Sequence, residues 1–189
     1  MEFPLTVGVS ARHLHLCKED MSKLFGKDAC LHVKKAIQQP GQFAAEEQVT
    51  LVTEKSEMKL RVIGPLRKKT QIELSMTDAR PIGLTPPIRN SGDIEGTPGG
   101  WLIGPAGKIE LVKGIIVAAR HIHLCAETAG KYRLQDGDFV DVKTEGERSL
   151  TFHNVLVRAG DAHSDEFHID TDEANACGIT TGKTVNIIV

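Results

Sequence analysis

The nine residues Val9–Cys17, VSARHLHLC, return 108 positions later as Val117–Cys125, VAARHIHLC, with seven of the nine identical. Both copies have the alternating pattern of a strand, and both run into the start of a helix. Side chains on a strand alternate between its two faces. His13 and His15 therefore share one face, and Leu14 and Leu16 share the other. The same holds for His121 and His123. A chain that makes one two-histidine strand twice is expected to build two similar but unequal domains, each contributing a copy. The repeat is read as confined to that strand and the helix start after it.

Strand signals dominate elsewhere too. LTVGVSARHLHL, EQVTLVT, MKLRVIG and TQIELS read as short strands, as do DFVDVKT, LTFHNVLVR and KTVNIIV. Helices are few and short. KEDMSKLF puts Met21, Leu24 and Phe25 on one face. Asp170 with Glu173 predicts a capping box, closed by Gly178 as C-cap. The Gly/Pro-rich stretch from Pro86 to Gly107 reads as loop. This balance predicts a mainly β fold of two β-barrel domains with short capping helices.

Composition narrows the function. The 189 residues are 40% hydrophobic, enough for one domain or two small ones. A net charge of -2 with 4% aromatic residues argues against nucleic acid as partner. No apolar run approaches membrane-spanning length, and the first residues lack a secretory pattern. Four cysteines without a CxxC fit a reducing cytoplasm.

Two imidazoles on one strand face, about 6–7 Å apart along the strand, can reach a single metal ion. An isolated pair would pass for ordinary partly buried histidines; two copies in one context favour ligands. A catalytic zinc takes three protein ligands and keeps one position open. The third could be His32, His153, His163, His168, a cysteine or a carboxylate, and spacing does not choose. Arg12 and Arg120, on the opposite face, read as structural. Cys17 and Cys125 sit at helix starts, where a thiol pKa is lowered, yet no base can be assigned to either. Among the basic residues Lys34, Lys35, Arg61, Arg67, Lys68, Lys69 and Arg89, Arg67 stands at a turn after a strand, suited to bidentate anion contact.

The segments VGVSARHLHL, QPGQFAAEEQVTLV, RVIGPLRKKTQIELSMTDA, PPIRNSGDIEGTPG, IIVAARHIHL and FHIDTDEANACG, in this order, resemble the phosphate propanoyltransferases over nearly the whole chain. These are phosphotransacylases associated with bacterial microcompartments. The resemblance implies two β-barrels. One is discontinuous, from residues 1–10 and 119–189, and residues 11–118 form the other, with a dinuclear metal site at their interface. It implies interconversion of a short-chain acyl-CoA, propanoyl- or acetyl-CoA, plus phosphate with acyl phosphate plus CoA.

By motif match, His13, His15 and Glu73 should hold one zinc ion, whose open position the CoA sulfur can take. His121, His123 and His168 should hold a second, completed by water. Arg67 matches the phosphate-binding, catalytic arginine. Ser10, Arg61, Ile63 and Asn175 match positions around the CoA nucleotide, with Lys34 or, preferred, Lys35 as the matching lysine. The resemblance further implies a homodimer; the expected location is the cytoplasm, with microcompartment association left open. The amphipathic N-terminal extension of microcompartment-targeted members is not recognisable in this sequence. Cys17 and Cys125 stand where members commonly have Ser. A zinc-dependent thioester or amide hydrolase is the alternative enzyme class, sharing the ligands without a phosphate site.

Overall fold

The computed structural model describes residues 1–189. In chain order the elements are β1 (Glu2–Ser10), β2 (His13–His15), α1 (Lys18–Phe25), β3 (Val33–Ala36), β4 (Phe43–Val52), β5 (Glu57–Gly64) and β6 (Gln71–Glu73). There follow α2 (Met76–Ala79), β7 (Ile88–Arg89), β8 (Gly100–Ile103), β9 (Lys108–Leu111), β10 (Ile115–Ala118), β11 (His121–Leu124) and α3 (Ala126–Tyr132). Then come β12 (Phe139–Lys143), β13 (Thr151–Ala159), β14 (Glu166–Asp170), α4 (Thr171–Cys177) and β15 (Thr184–Ile188). The fold is mainly β, with short helices capping strand ends.

The chain divides into two compact units. One comprises Met1–Ser10, Gln38–Pro40 and Ala119–Val189; the other comprises Ala11–Ile37 and Gly41–Ala118. The first is a closed barrel in the order β1-β14-β11-β13-β12-β15. Inward residues such as Val7, Ile122, Val155, Phe167 and Ile187 fill it, each fully buried. The second is a nine-stranded, half-barrel sheet in the order β7-β10-β6-β2-β5-β4-β8-β9, with β3 on the edge of β4. Leu14, Leu16, Leu51, Leu60, Val62 and Ile72 form its core. Each such Leu contributes roughly 1.5–3 kcal/mol on burial, which pins the strand register and thereby the histidines opposite.

Two details differ from the expectations above. LTVGVSARHLHL is not one strand: it breaks at Ala11–Arg12 into β1 and β2. The Gly/Pro-rich stretch 86–107 is not wholly loop, since it holds β7 and β8. Its glycines serve close approach as well as turning. A Cβ on Gly99 would stand 1.8 Å from the Leu111 carbonyl oxygen, and one on Gly100 would stand 2.9 Å from Leu51 Cδ1.

The repeat is also longer than the sequence suggests. In the barrel, β11 lies between β14 and β13, with His121 opposite His168 and opposite Leu156. In the half-barrel, β2 lies between β6 and β5, with His13 opposite Glu73 and opposite Arg61. The outer neighbours match as well: β1 runs parallel to β14 with Gly8 beside His168, and β10 runs parallel to β6 with Ile116 beside Glu73. Glu73 thus corresponds to His168, and Arg61 to Leu156. Both correspondences carry an offset of 95 residues, against 108 for the histidine strand.

Candidate active site

In the half-barrel, Leu14 and Leu16 point into the core, which turns His13 and His15 together onto the other face. Their rings meet edge to face with centroids 5.0 Å apart. His13 Nδ1–H donates to the Ala11 carbonyl at 2.8 Å, and His15 Nδ1–H to the Ile63 carbonyl at 3.1 Å. Each ring is thereby locked with Nε2 turned inward. Glu73, opposite His13 on β6, brings its carboxylate to 3.5 Å from His13 Nε2 and 3.9 Å from His15 Nε2. Burial, followed by the positive potential of His13 and Arg67, pushes the His15 pKa down to about 3. Its imidazole is neutral at physiological pH, the form that binds a metal.

Arg67 follows β5 in the same unit. Its backbone N–H donates to Leu16 at 2.8 Å, and its Nη1 donates to Ser91 Oγ at 3.0 Å. Ser91 Oγ in turn donates to Glu73 Oε1 at 3.1 Å. Gln71 Nε2 donates to Glu73 Oε1 at 2.7 Å and to Ser91 Oγ at 2.8 Å, while Gln71 Oε1 accepts from the Gly92 N–H at 2.7 Å. One network therefore joins a cation to a carboxylate that faces two imidazoles. Gln71 and Ser91 are not among the residues the sequence singles out. Both lie in the family-like segments, but a Gln in a strand and a Ser in a Gly-rich loop carry no signal alone.

In the barrel, His121 and His123 are arranged in the same way. Their centroids are 4.8 Å apart and their Nε2 atoms 3.1 Å apart. His121 Nδ1–H donates to the Ala119 carbonyl at 2.9 Å. His123 differs, since its Nδ1 stands 2.9 Å from His163 Nδ1. His168 completes the group, with its ring 5.1 Å from that of His121 and 4.8 Å from that of His123. Burial, then the charges of His121 and His168, holds the His123 pKa down to about 2. The His168 Nε2–H donates to Glu166 Oε2 at 2.6 Å. Burial works to raise the Glu166 pKa, but the bonds from His168 and from Gln39, at 3.1 Å, outweigh it and hold it low.

The ligand atoms of His13, His15 and Glu73 all lie within 4.8 Å of one another, as do those of His121, His123 and His168. Two ligands of a tetrahedral zinc with bonds of about 2.0–2.1 Å stand roughly 3.3 Å apart. The separations of 3.1, 3.5 and 3.9 Å fit that geometry after small rotamer adjustments.

The other candidates are placed as follows. His32 pairs with Glu47 and His153 with Asp141, both away from the clusters, while His163 touches His123 without joining the three. Arg12 pairs with Asp78 at 2.8 Å and Arg120 with Glu173 at 2.9 Å, so both are tied into the scaffold. Cys17 and Cys125 are N-caps whose side chains make no capping bond. Of the residues matched to the CoA nucleotide, Ser10 and Asn175 lie in the barrel unit; Lys35, Arg61 and Ile63 lie in the half-barrel unit. Asn175 lines a cavity of about 470 Å³ with Val9, Thr171, Ala174, Thr180 and Thr181. Arg61 Nη1 donates to the Ala45 carbonyl at 2.7 Å, and Lys35 is exposed on β3. No helix is long and apolar enough to cross a membrane.

Known proteins place this architecture. The family model for phosphate propanoyltransferase matches residues 6–180. The phosphate propanoyltransferase of Rhodopseudomonas palustris is 50% identical over 186 residues, spanning 98% of this chain and 82% of that protein. That of Thermotoga maritima is 49% identical over 186 residues, spanning 97% of this chain and 89% of the relative. That of Salmonella arizonae is 50% identical over 188 residues, spanning 98% and 89%. Matched along nearly its whole length, the chain belongs to the phosphate propanoyltransferase family and is a phosphate acyltransferase.

Proposed function

We propose that the protein interconverts a short-chain acyl-CoA, propanoyl- or acetyl-CoA, plus phosphate with the acyl phosphate plus CoA, using zinc held at both histidine clusters. The observation that carries this reading is the Arg67–Ser91–Glu73 network, which ties an anion-binding side chain to a metal-ligand set. His13, His15 and Glu73 would hold one ion, and His121, His123 and His168 the other. When bound, zinc supplies Lewis-acid stabilisation of charge on the carbonyl oxygen and on the departing sulfur.

The chain's own groups do the rest. The Arg67 guanidinium grips two phosphate oxygens through its planar fork and aims a third at the thioester carbon. That oxygen forms the new C–O bond, the C–S bond breaks, and CoA departs as the thiolate. Ser91 keeps Arg67 oriented, since its hydroxyl accepts from the guanidinium while donating to Glu73. No covalent enzyme intermediate is needed. Ser10, Lys35, Arg61, Ile63 and Asn175 would hold the CoA nucleotide; the polar wall of Thr180, Thr181 and Asn175 around its cavity supports that role for Asn175.

The test is free-thiol release from acetyl-, propanoyl- and butanoyl-CoA with and without phosphate. Release that requires phosphate and yields acyl phosphate is expected. Equal release in phosphate-free buffer would identify a zinc hydrolase instead. Elemental analysis after metal-replete expression should give two zinc ions per chain, and saturation below one would end the two-site reading.

A further inference from the structure

The strand that supplies each third ligand also supplies the residue two positions before it. In the half-barrel that pair is Gln71 and Glu73, and Gln71 Nε2 donates to Glu73 Oε1 at 2.7 Å. In the barrel it is Glu166 and His168, and His168 Nε2–H donates to Glu166 Oε2 at 2.6 Å. Gln71 lies opposite His15 and Glu166 opposite His123, so the two residues occupy one register position of the repeat. The chemistry is exchanged between them. Where the ligand is a carboxylate, its partner is an amide donor; where the ligand is an imidazole, its partner is a carboxylate acceptor.

Glu166 is costly to place, and the fold makes specific room for it. It is 6% exposed, and Gln39 Nε2 donates to its Oε2 at 3.1 Å. The residue beside His168 on β1 is Gly8, where a Cβ would stand 2.7 Å from Glu166 Oε1. The corresponding residue in the half-barrel is Ile116, fully buried. A side chain is omitted at a place where it would displace the carboxylate.

We propose that Glu166 is the positioning residue of the second metal site: it fixes the His168 ring through Nε2, leaves Nδ1 for the ion, and sets its carboxyl group behind that ligand. The inference rests on the reading that His121, His123 and His168 hold a metal. It changes the electrostatics of that site. The three-imidazole set is not a bare neutral shell, because it gains through His168 what the first site has directly in Glu73. A carboxylate behind a ligating histidine raises that ligand's basicity, and losing it typically costs about 10–100-fold in metal affinity.

The experiment is cobalt binding to the full chain, followed by visible absorbance and competition with a chromophoric chelator. It uses wild type, His168→Ala, Glu166→Gln, Glu166→Ala, Gly8→Ala and the Gly8→Ala/Glu166→Ala double variant. His168→Ala should lose one of two cobalt equivalents. If it loses none, the metal-site reading itself fails, whatever Glu166 does. Given that loss, Glu166→Gln should weaken one equivalent about 10–100-fold and shift its absorbance, leaving the other equivalent unchanged. Gly8→Ala should do the same alone and add nothing on top of Glu166→Ala, because the group it displaces is already gone. Unchanged affinity in Glu166→Gln would overturn the proposal and leave Glu166 a packing residue. Complete loss of the equivalent, matching His168→Ala, would also overturn it, making Glu166 a direct ligand.

Discussion

Arg67 and Glu73 are joined through a single hydroxyl: Ser91 Oγ accepts from Arg67 Nη1 at 3.0 Å and donates to Glu73 Oε1 at 3.1 Å. Arg67→Lys keeps the charge but removes the planar fork. A hydrogen bond to a charged group is worth about 1.5–3 kcal/mol. The KM for phosphate should therefore rise about 10–100-fold, with the KM for acyl-CoA moving much less. Steady-state kinetics varying each substrate separates the two; parallel rises would make Arg67 a scaffold residue.

Ser91→Ala removes one partner from each of Arg67, Gln71 and Glu73 at once. It should weaken metal binding at the first cluster by about tenfold, the low end of the loss seen for partners of ligands, and also raise the KM for phosphate. Chelator competition and kinetics on the same preparation check both. An effect on only one of them would mean the hydroxyl does not couple the arginine to the carboxylate.

Cys17→Ser and Cys125→Ser bear on the chemistry and on stability together. Neither thiol makes a capping bond at its helix, although Cys125 Sγ contacts Thr128 Oγ1 at 3.4 Å. Ser is a strong N-cap where Cys is not, so each change should raise stability by up to about 1 kcal/mol. Turnover should stay within about tenfold of wild type, the range of an ordinary surface change. A drop of several orders of magnitude with metal content intact would point to an acyl-thiol enzyme.

Arg120→Ala should carry a specific pH dependence. Burial raises the Glu173 pKa above its ordinary 4.5, and the bond from Arg120 works against that rise. A carboxyl whose folded pKa lies above the unfolded one contributes stability below the unfolded value and loses it as pH rises through the folded value. Without Arg120 the raised pKa climbs further. The variant should lose roughly 1–3 kcal/mol at pH 7, from a buried charge left unmet, and less at pH 4. Urea unfolding of both proteins at the two pH values tests this, and an equal or larger deficit at pH 4 would refute it.

How much of this is legible in the chain? The duplicated histidine strand is plain, because packing alone rarely demands two matching imidazole pairs in one setting. The capping box of Asp170 and Glu173 with Gly178 is equally readable, since cap chemistry is local. The second arm of the repeat is not. Glu73 and His168 share a position and the capacity to hold a metal, but as letters they share nothing, and their offset differs from that of the histidines. Gln71, Ser91 and Glu166 are hidden for a related reason. Each acts through a neighbour distant in sequence, and only strand register brings the two together. β7 and β8 are obscured because glycines that permit close packing look, in sequence, like glycines that permit turns.

The closure of the first barrel has a consequence for the protein's synthesis. Glu2 lies opposite Ile188 and Phe3 opposite Ile187, so β1 completes its hydrogen bonding only with β15. Contacts that span nearly the whole sequence are slow to form, because a long loop must close before they repay it. In a nascent chain β1 therefore has no partner on one side until β14, residues 166–170, exists and none on the other until residues 184–188 exist. Until then the edges of β1 are open to other partners, and chaperone dependence of the newly made chain should concentrate on that strand.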